Sequence, residues 1–183
     1  MKEINSKSNQ AGVFTIEFAI VGLLLGVLIM FTGDVLVKLS MKGKLDRLSY
    51  SAASLVKERT QLYGEDYVTT GADADIVFTV ISRSLERTTS QYELERFGMV
   101  IEEQTYAADS TPNALRTMNR GGRDCNLDET LGDIENGLTV ETSWGRQTTL
   151  YRVTLCYFTD NLVEDLLDNG FNIVSSSSVI IGR

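Results

Sequence analysis

Residues Phe18 to Phe31 (FAIVGLLLGVLIMF) form a fourteen-residue run with no charge and no strongly hydrogen-bonding side chain, and nothing comparable occurs later. Such a run must leave water, as a buried core helix, a secretory signal or a membrane span. It is shorter than the roughly 20 residues of a free-standing span. Adding Val13 to Ile16 and Val35 to Val37 brings it to spanning length, at the cost of including Glu17 and Asp34. A secretory signal wants a small-x-small cleavage site after the apolar run. Met30-Phe31-Thr32-Gly33-Asp34 is a poor one, which favours a retained anchor.

The helical pattern continues past the membrane edge. Leu45, Leu48, Ala52, Leu55 and Leu62 recur in a heptad-like stripe, no proline stands between Val13 and Tyr63, and Gly64 is a plausible stop. One helix over this stretch would be about 75 Å long. Residues 13–37 suit lipid, and residues 38–63 suit a domain packed on one side.

Beyond Gly64 the period changes. Ile76, Val77, Val80, Ile81 and Leu85 predict an amphipathic helix from about Ala74 to Thr88. Phe97 to Tyr106 reads as a strand and Asp109 to Gly137 as a long polar connection. Leu138 to Ser143 and Thr148 to Phe158 read as a hairpin turning at Trp144-Gly145-Arg146-Gln147. Asp160 to Asp168 reads as a short helix stopped by Gly170, and Asn172 to Ile181 as a last strand, with Ser175 to Ser178 on an edge or a solvent face. The expected class is α+β, a long N-terminal helix packed on a small antiparallel sheet. Four segments follow: a leader at 1–12, an apolar helix half at 13–37, an amphipathic half at 38–63 and a globular part at 64–183.

Charge and composition exclude several functions. The net charge is −8, and from Gly64 onward nine Lys/Arg face twenty Asp/Glu. An acidic domain is a poor partner for nucleic-acid phosphates, so Arg120-Gly121-Gly122-Arg123 reads as a polar loop. There is no histidine, which removes the usual general base and the commonest zinc ligand. No serine has a convincing base partner, and Glu102 and Glu103, adjacent on a strand, point to opposite faces. No enzyme is expected, and no cofactor. Asp124, Asn126, Asp128 and Glu135 occupy positions of a calcium-loop pattern, but the turn position that wants glycine holds Glu129, so a solvated acidic loop is the better reading. Cys125 and Cys156 can form one disulfide in an oxidising compartment or remain buried thiols; the disulfide is favoured for a domain outside the cytoplasm.

The informative segment is Gly12-Val13-Phe14-Thr15-Ile16-Glu17-Phe18-Ala19. A leader carrying Lys2 and Lys7 ends in glycine, and a carboxylate follows five residues later at the head of an apolar helix. An ionisable group there is costly and asks for a reason. A cut after Gly12 would give Val13 a free ammonium about one helical turn from Glu17. In a bundle of parallel, staggered helices, one chain's Glu17 could meet the next chain's new N-terminus and set the register. Gly22-Leu23-Leu24-Leu25-Gly26 is a small-xxx-small pattern, read either as close helix packing or as chance.

These residues resemble the signal that a prepilin peptidase cuts in type IV pilins and pseudopilins. The wording Glu17-Phe18-Ala19 and the segment from Ser49-Tyr50-Ser51 to Glu58-Arg59-Thr60-Gln61-Leu62-Tyr63 are more similar to the TadE/TadF proteins of tight-adherence (Tad/Flp) pili, TadF in particular. Asp34 stands where many type IV pilins bend at a proline, and Gly22 stands near where TadE-like chains often carry one. The resemblance implies a pilin-like fold and a minor pseudopilin that helps start or regulate pilus assembly, adhesion and biofilm. Gly12 would precede the cut, Val13 would be the new N-terminus and Glu17 the position-five acid. The implied partners are a prepilin peptidase, the major Flp-type pilin, a TadE-like pseudopilin and the inner-membrane assembly platform. The implied location is the inner membrane with the C-terminal domain outside, with possible entry into the pilus. Lys38, Lys42, Lys44 and Arg47 after the span, taken alone, favour the opposite orientation. Two other readings stay open: an uncleaved bitopic membrane protein with a partner-binding domain, and a secreted protein that loses the apolar run.

Overall fold

The computed structural model describes residues 10–63, 68–143, 145–160 and 172–182. The first helix, α1, runs unbroken from Gln10 to Tyr63. From Phe14 to Phe31 its large apolar side chains are all exposed. Among the described residues it is the one helix long and apolar enough to cross a membrane. Thr32, the polar residue near the end of this stretch, donates its hydroxyl to the Leu28 carbonyl at 2.7 Å, so it brings no unpaired donor to the surface.

The second half of α1 packs on the domain through Met41, Leu45, Ser49, Ala52, Ala53 and Val56. This face follows the 3.6-residue helical period. Leu55, which the heptad stripe placed inside, is 37% exposed, because a straight helix drifts off a strict seven-residue repeat. Helix α2 spans Gly71–Thr88 and starts earlier than its apolar pattern. Its first turn is fixed by a capping box in which Thr70 and Asp73 bond each other's backbone N–H groups. It buries Ala74, Val77, Ile81 and Leu85.

The described residues hold four strands, β1 (Phe97–Gln104), β2 (Arg116–Gly121), β3 (Leu150–Phe158) and β4 (Ile173–Ile181). They form one antiparallel sheet in the order β2-β1-β3-β4. The sheet's inner face carries Phe97, Met99, Ile101, Tyr151, Val153, Leu155 and Tyr157 into one core with α1 and α2. The expected α+β class is the one observed.

Three further sequence expectations change. The polar connection from Asp109 to Gly137 contains β2 and a short helix, α3 (Leu131–Ile134). β2 hides from a hydrophobicity reading because it is an edge strand whose residues are mostly exposed. Its Met118 alone packs against the core. Residues 138–143 form no strand beside β3; they close a tight loop on Arg146 to Thr148 instead. Both edges of β3 are already taken by β1 and β4. The expected strand from Phe97 ends at Gln104. Beyond Asp160, the expected helix to Asp168 lies outside the described residues, as do the first nine residues of the expected leader at 1–12, the stop at Gly64 and the turn residue Trp144; the last three leader residues, Gln10 to Gly12, are already helical.

Candidate functional site

The N-terminal constellation sits on one continuous helix. Gly12 and Val13 belong to helical backbone, and Glu17 follows Val13 by four residues on an exposed surface. That spacing stacks the two positions one turn apart. Phe14 and Phe18 stack with ring centroids 6.5 Å apart beside it. Gly22 and Gly26 also lie one turn apart, and a methyl group added at either would meet nothing within 4 Å. Among the described residues no contact requires glycine at either position.

A set of polar ties joins the end of the apolar stretch to the domain. Asp34 is 2% exposed, and Lys38 reaches it at 2.7 Å from one turn further on. Lys42 donates to the Ser175 carbonyl at 2.7 Å and lies 3.2 Å from Asp46. Lys44 donates to the Thr88 carbonyl at 2.7 Å. Three of the four cations that follow the span are thus committed to contacts within the folded chain.

Above them runs a seam between α1 and β4 built from hydroxyls. Ser49 Oγ lies 3.2 Å from Ser176 Oγ and 2.8 Å from Ser178 Oγ, and Ser176 donates to Asp46 at 2.5 Å. The serine run is therefore an edge strand with two inward hydroxyls. Sequence alone showed the edge character but not the inward bonds, because the partner residues are more than a hundred positions away.

The outer face of the sheet is crossed by the loop leading into α3. Cys125 and Cys156 form a disulfide with a Cα–Cα distance of 5.6 Å. The loop comes so close that a Cβ on Gly98 would stand 2.1 Å from the Arg123 carbonyl oxygen. Arg152 forms a buried ion pair with Glu102 and also donates to the Glu129 carbonyl at 2.6 Å. Glu102 in turn accepts the Leu131 N–H at 3.0 Å. This pair escaped the sequence reading, since a buried Arg–Glu partner across two strands leaves no local signal. Glu103 faces the other way and accepts the Thr69 N–H. Burial pushes its carboxyl above the ordinary range, against the Thr69 hydrogen bond and the Arg116 charge.

Of the residues at calcium-loop positions, Glu135 accepts the Tyr106 hydroxyl at 2.9 Å, while Asp124, Asn126 and Asp128 are exposed. Among the described residues no three acidic or thiol side chains converge as a metal site. Arg120 pairs with Asp75 at 2.5 Å, and Arg123 lies 4.8 Å from the centroid of the Phe158 ring.

The long apolar helix with the domain packed on its second half fits a membrane-anchored chain. No curated protein and no solved structure matches the chain. The family profile of TadF, tight adherence pilin protein F, matches residues 5–183, and the chain belongs to that family.

Proposed function

We propose that this chain is a minor pseudopilin of the TadF rather than the TadE type, cut by a prepilin peptidase between Gly12 and Val13 and acting in the initiation or regulation of Tad pilus assembly, and through it in adhesion and biofilm. The observation that carries the proposal is Glu17. It is an exposed acid on an otherwise uncharged apolar surface, one turn from the residue that a cut after Gly12 would make the N-terminus. Burying a carboxylate against lipid is unfavourable unless a cation meets it. A neighbouring subunit's new ammonium supplies that cation and fixes the axial register.

The role is structural rather than catalytic. The chain has no histidine, and Glu102 is committed to Arg152. The domain lies outside the cytoplasm, a placement supported by the disulfide, which persists in oxidising compartments. The partners are the prepilin peptidase, the major Flp-type pilin, a TadE-like pseudopilin and the inner-membrane platform. Residues 1–12 form the leader, 13–37 the assembly half of α1, 38–63 its domain-bound half and 64–183 the extracytoplasmic domain. Lys38, Lys42, Lys44 and Arg47 favour a second reading, an uncleaved bitopic protein, by the charge rule. Membrane-extracted chain expressed with the peptidase should begin at Val13. An intact Met1 under the same conditions would favour the bitopic protein. Glu17→Ala should abolish subunit association; unchanged piliation would remove the assembly role.

A further inference from the structure

The two edges of the sheet are treated differently. β2 is guarded: Arg120 pairs with Asp75 and donates to the Gly71 carbonyl at 3.1 Å, and Arg116 donates to the Thr69 carbonyl at 3.2 Å. β4 is nine residues long and has no charge, proline or glycine. Its pairing with β3 is unbroken by any bulge. Long, flat, uncharged edges template the pairing of another chain, and natural proteins normally block them.

The ladder shows which groups are open. At its two ends Thr159 N–H donates to the Asn172 carbonyl and Gly182 N–H to the Thr149 carbonyl, both at 2.7 Å. Asn172, Gly182 and the even-numbered residues between them are therefore the hydrogen-bonded partners of β3. Antiparallel pairs alternate, so Ile173, Ser175, Ser177, Val179 and Ile181 turn their N–H and C=O groups outward. Lys42 blocks the Ser175 carbonyl. Among the described residues nothing pairs with the outward backbone groups of the stretch from Ser177 to Ile181, and Ile181 is 38% exposed.

A polar groove adjoins this strand on the outer face. Asp128 and Glu129 of the disulfide loop form one wall, and Ser175 and Ser177 form the other. The Arg152 beneath is neutralised by Glu102, so the groove's exposed charge is negative. We propose that the outer edge of β4 and this acidic groove dock an extended, lysine- or arginine-bearing segment of another pilus protein, which adds to the sheet as a further strand. Backbone hydrogen bonds to Ser177, Val179 and Ile181 provide affinity. Alternate side chains over the groove provide selectivity for positive charge.

A second copy of this chain fits poorly. It would set acid against acid. Contacts from Lys42 to Ser175 and from Ser49 to Ser178 show that α1 and β4 run in the same direction. Antiparallel pairing of two β4 strands would therefore point the two apolar helices opposite ways, which one membrane cannot accommodate.

The inference rests on the pilus reading only for the identity of the partner; peptide binding and processing at Val13 are separate readouts. The test uses the full chain in detergent and a short fluorescent peptide of alternating lysine and valine. The peptide should bind, slow amide exchange at Ser177 and Val179, and lose affinity by about tenfold in Val179→Pro, which removes an outward N–H and leaves the β3 ladder intact. The paired change Asp128→Lys and Glu129→Lys should weaken binding by a similar factor. The same peptide with every amide methylated should not bind, a control that does not depend on any variant folding. Absent binding, equal binding of the methylated peptide or of a glutamate-valine peptide, or spontaneous disulfide linking of two Ser177→Cys copies across the edge would each overturn the proposal.

Discussion

Glu102 and Arg152 show what a single residue can hide from a sequence. Each reads as a polar position on an alternating strand, yet Glu102 is 1% exposed and the pair ties β1 and β3 to the loop at Glu129 and Leu131. Removing one partner of a buried ion pair leaves an uncompensated charge. Glu102→Ala should therefore destabilise the domain by about 3 kcal/mol, read by chemical denaturation. A change near zero would mean that water already solvates Arg152.

Glu103 gives a pH signature. Burial raises its carboxyl in the folded state, so the stability linked to it is fully present below the ordinary glutamate range and is lost as pH rises through the folded value. Denaturation curves of Glu103→Gln should fall less with rising pH than those of the native chain. A constant offset across pH would refute the assignment. Glu17, by contrast, stands out in the sequence as a lone acid in an apolar run, and the structure adds only that it is exposed on α1.

At the scale of elements, legibility followed periodicity. α1 and α2 were readable from their apolar spacing, and β1, β3 and β4 from their runs. β2 was not, because an exposed edge strand carries no hydrophobic alternation. The serines of β4 were placed on a strand, but their bonds to Ser49 depend on how α1 crosses the sheet. Ser49→Val should take the Ser49 partner from the half-buried Ser178 hydroxyl, while Ser176 keeps its bond to Asp46, and cost about 1 kcal/mol. A stability equal to the native chain would show the seam to be replaceable by simple packing. The Cys125–Cys156 bridge closes a loop across a separation of 31 residues. Replacing both cysteines by serine should lower stability by about 3–4 kcal/mol on chain entropy. The loop should stay docked through Glu102 and Arg152, visible as retained amide protection at Leu131.

For the whole molecule, the apolar first half of α1, the acidic domain on its second half and TadF membership agree on a membrane-anchored pilus component. The exposed apolar surface of α1 is the feature the sequence conveys most directly, through the run from Phe18 to Phe31. The most direct measurement is the mass and N-terminal sequence of membrane-extracted chain, expressed with and without a prepilin peptidase. A start at Val13 that appears only with the peptidase is the expected result. A chain that keeps Met1 in the presence of an active peptidase would contradict the assembly account.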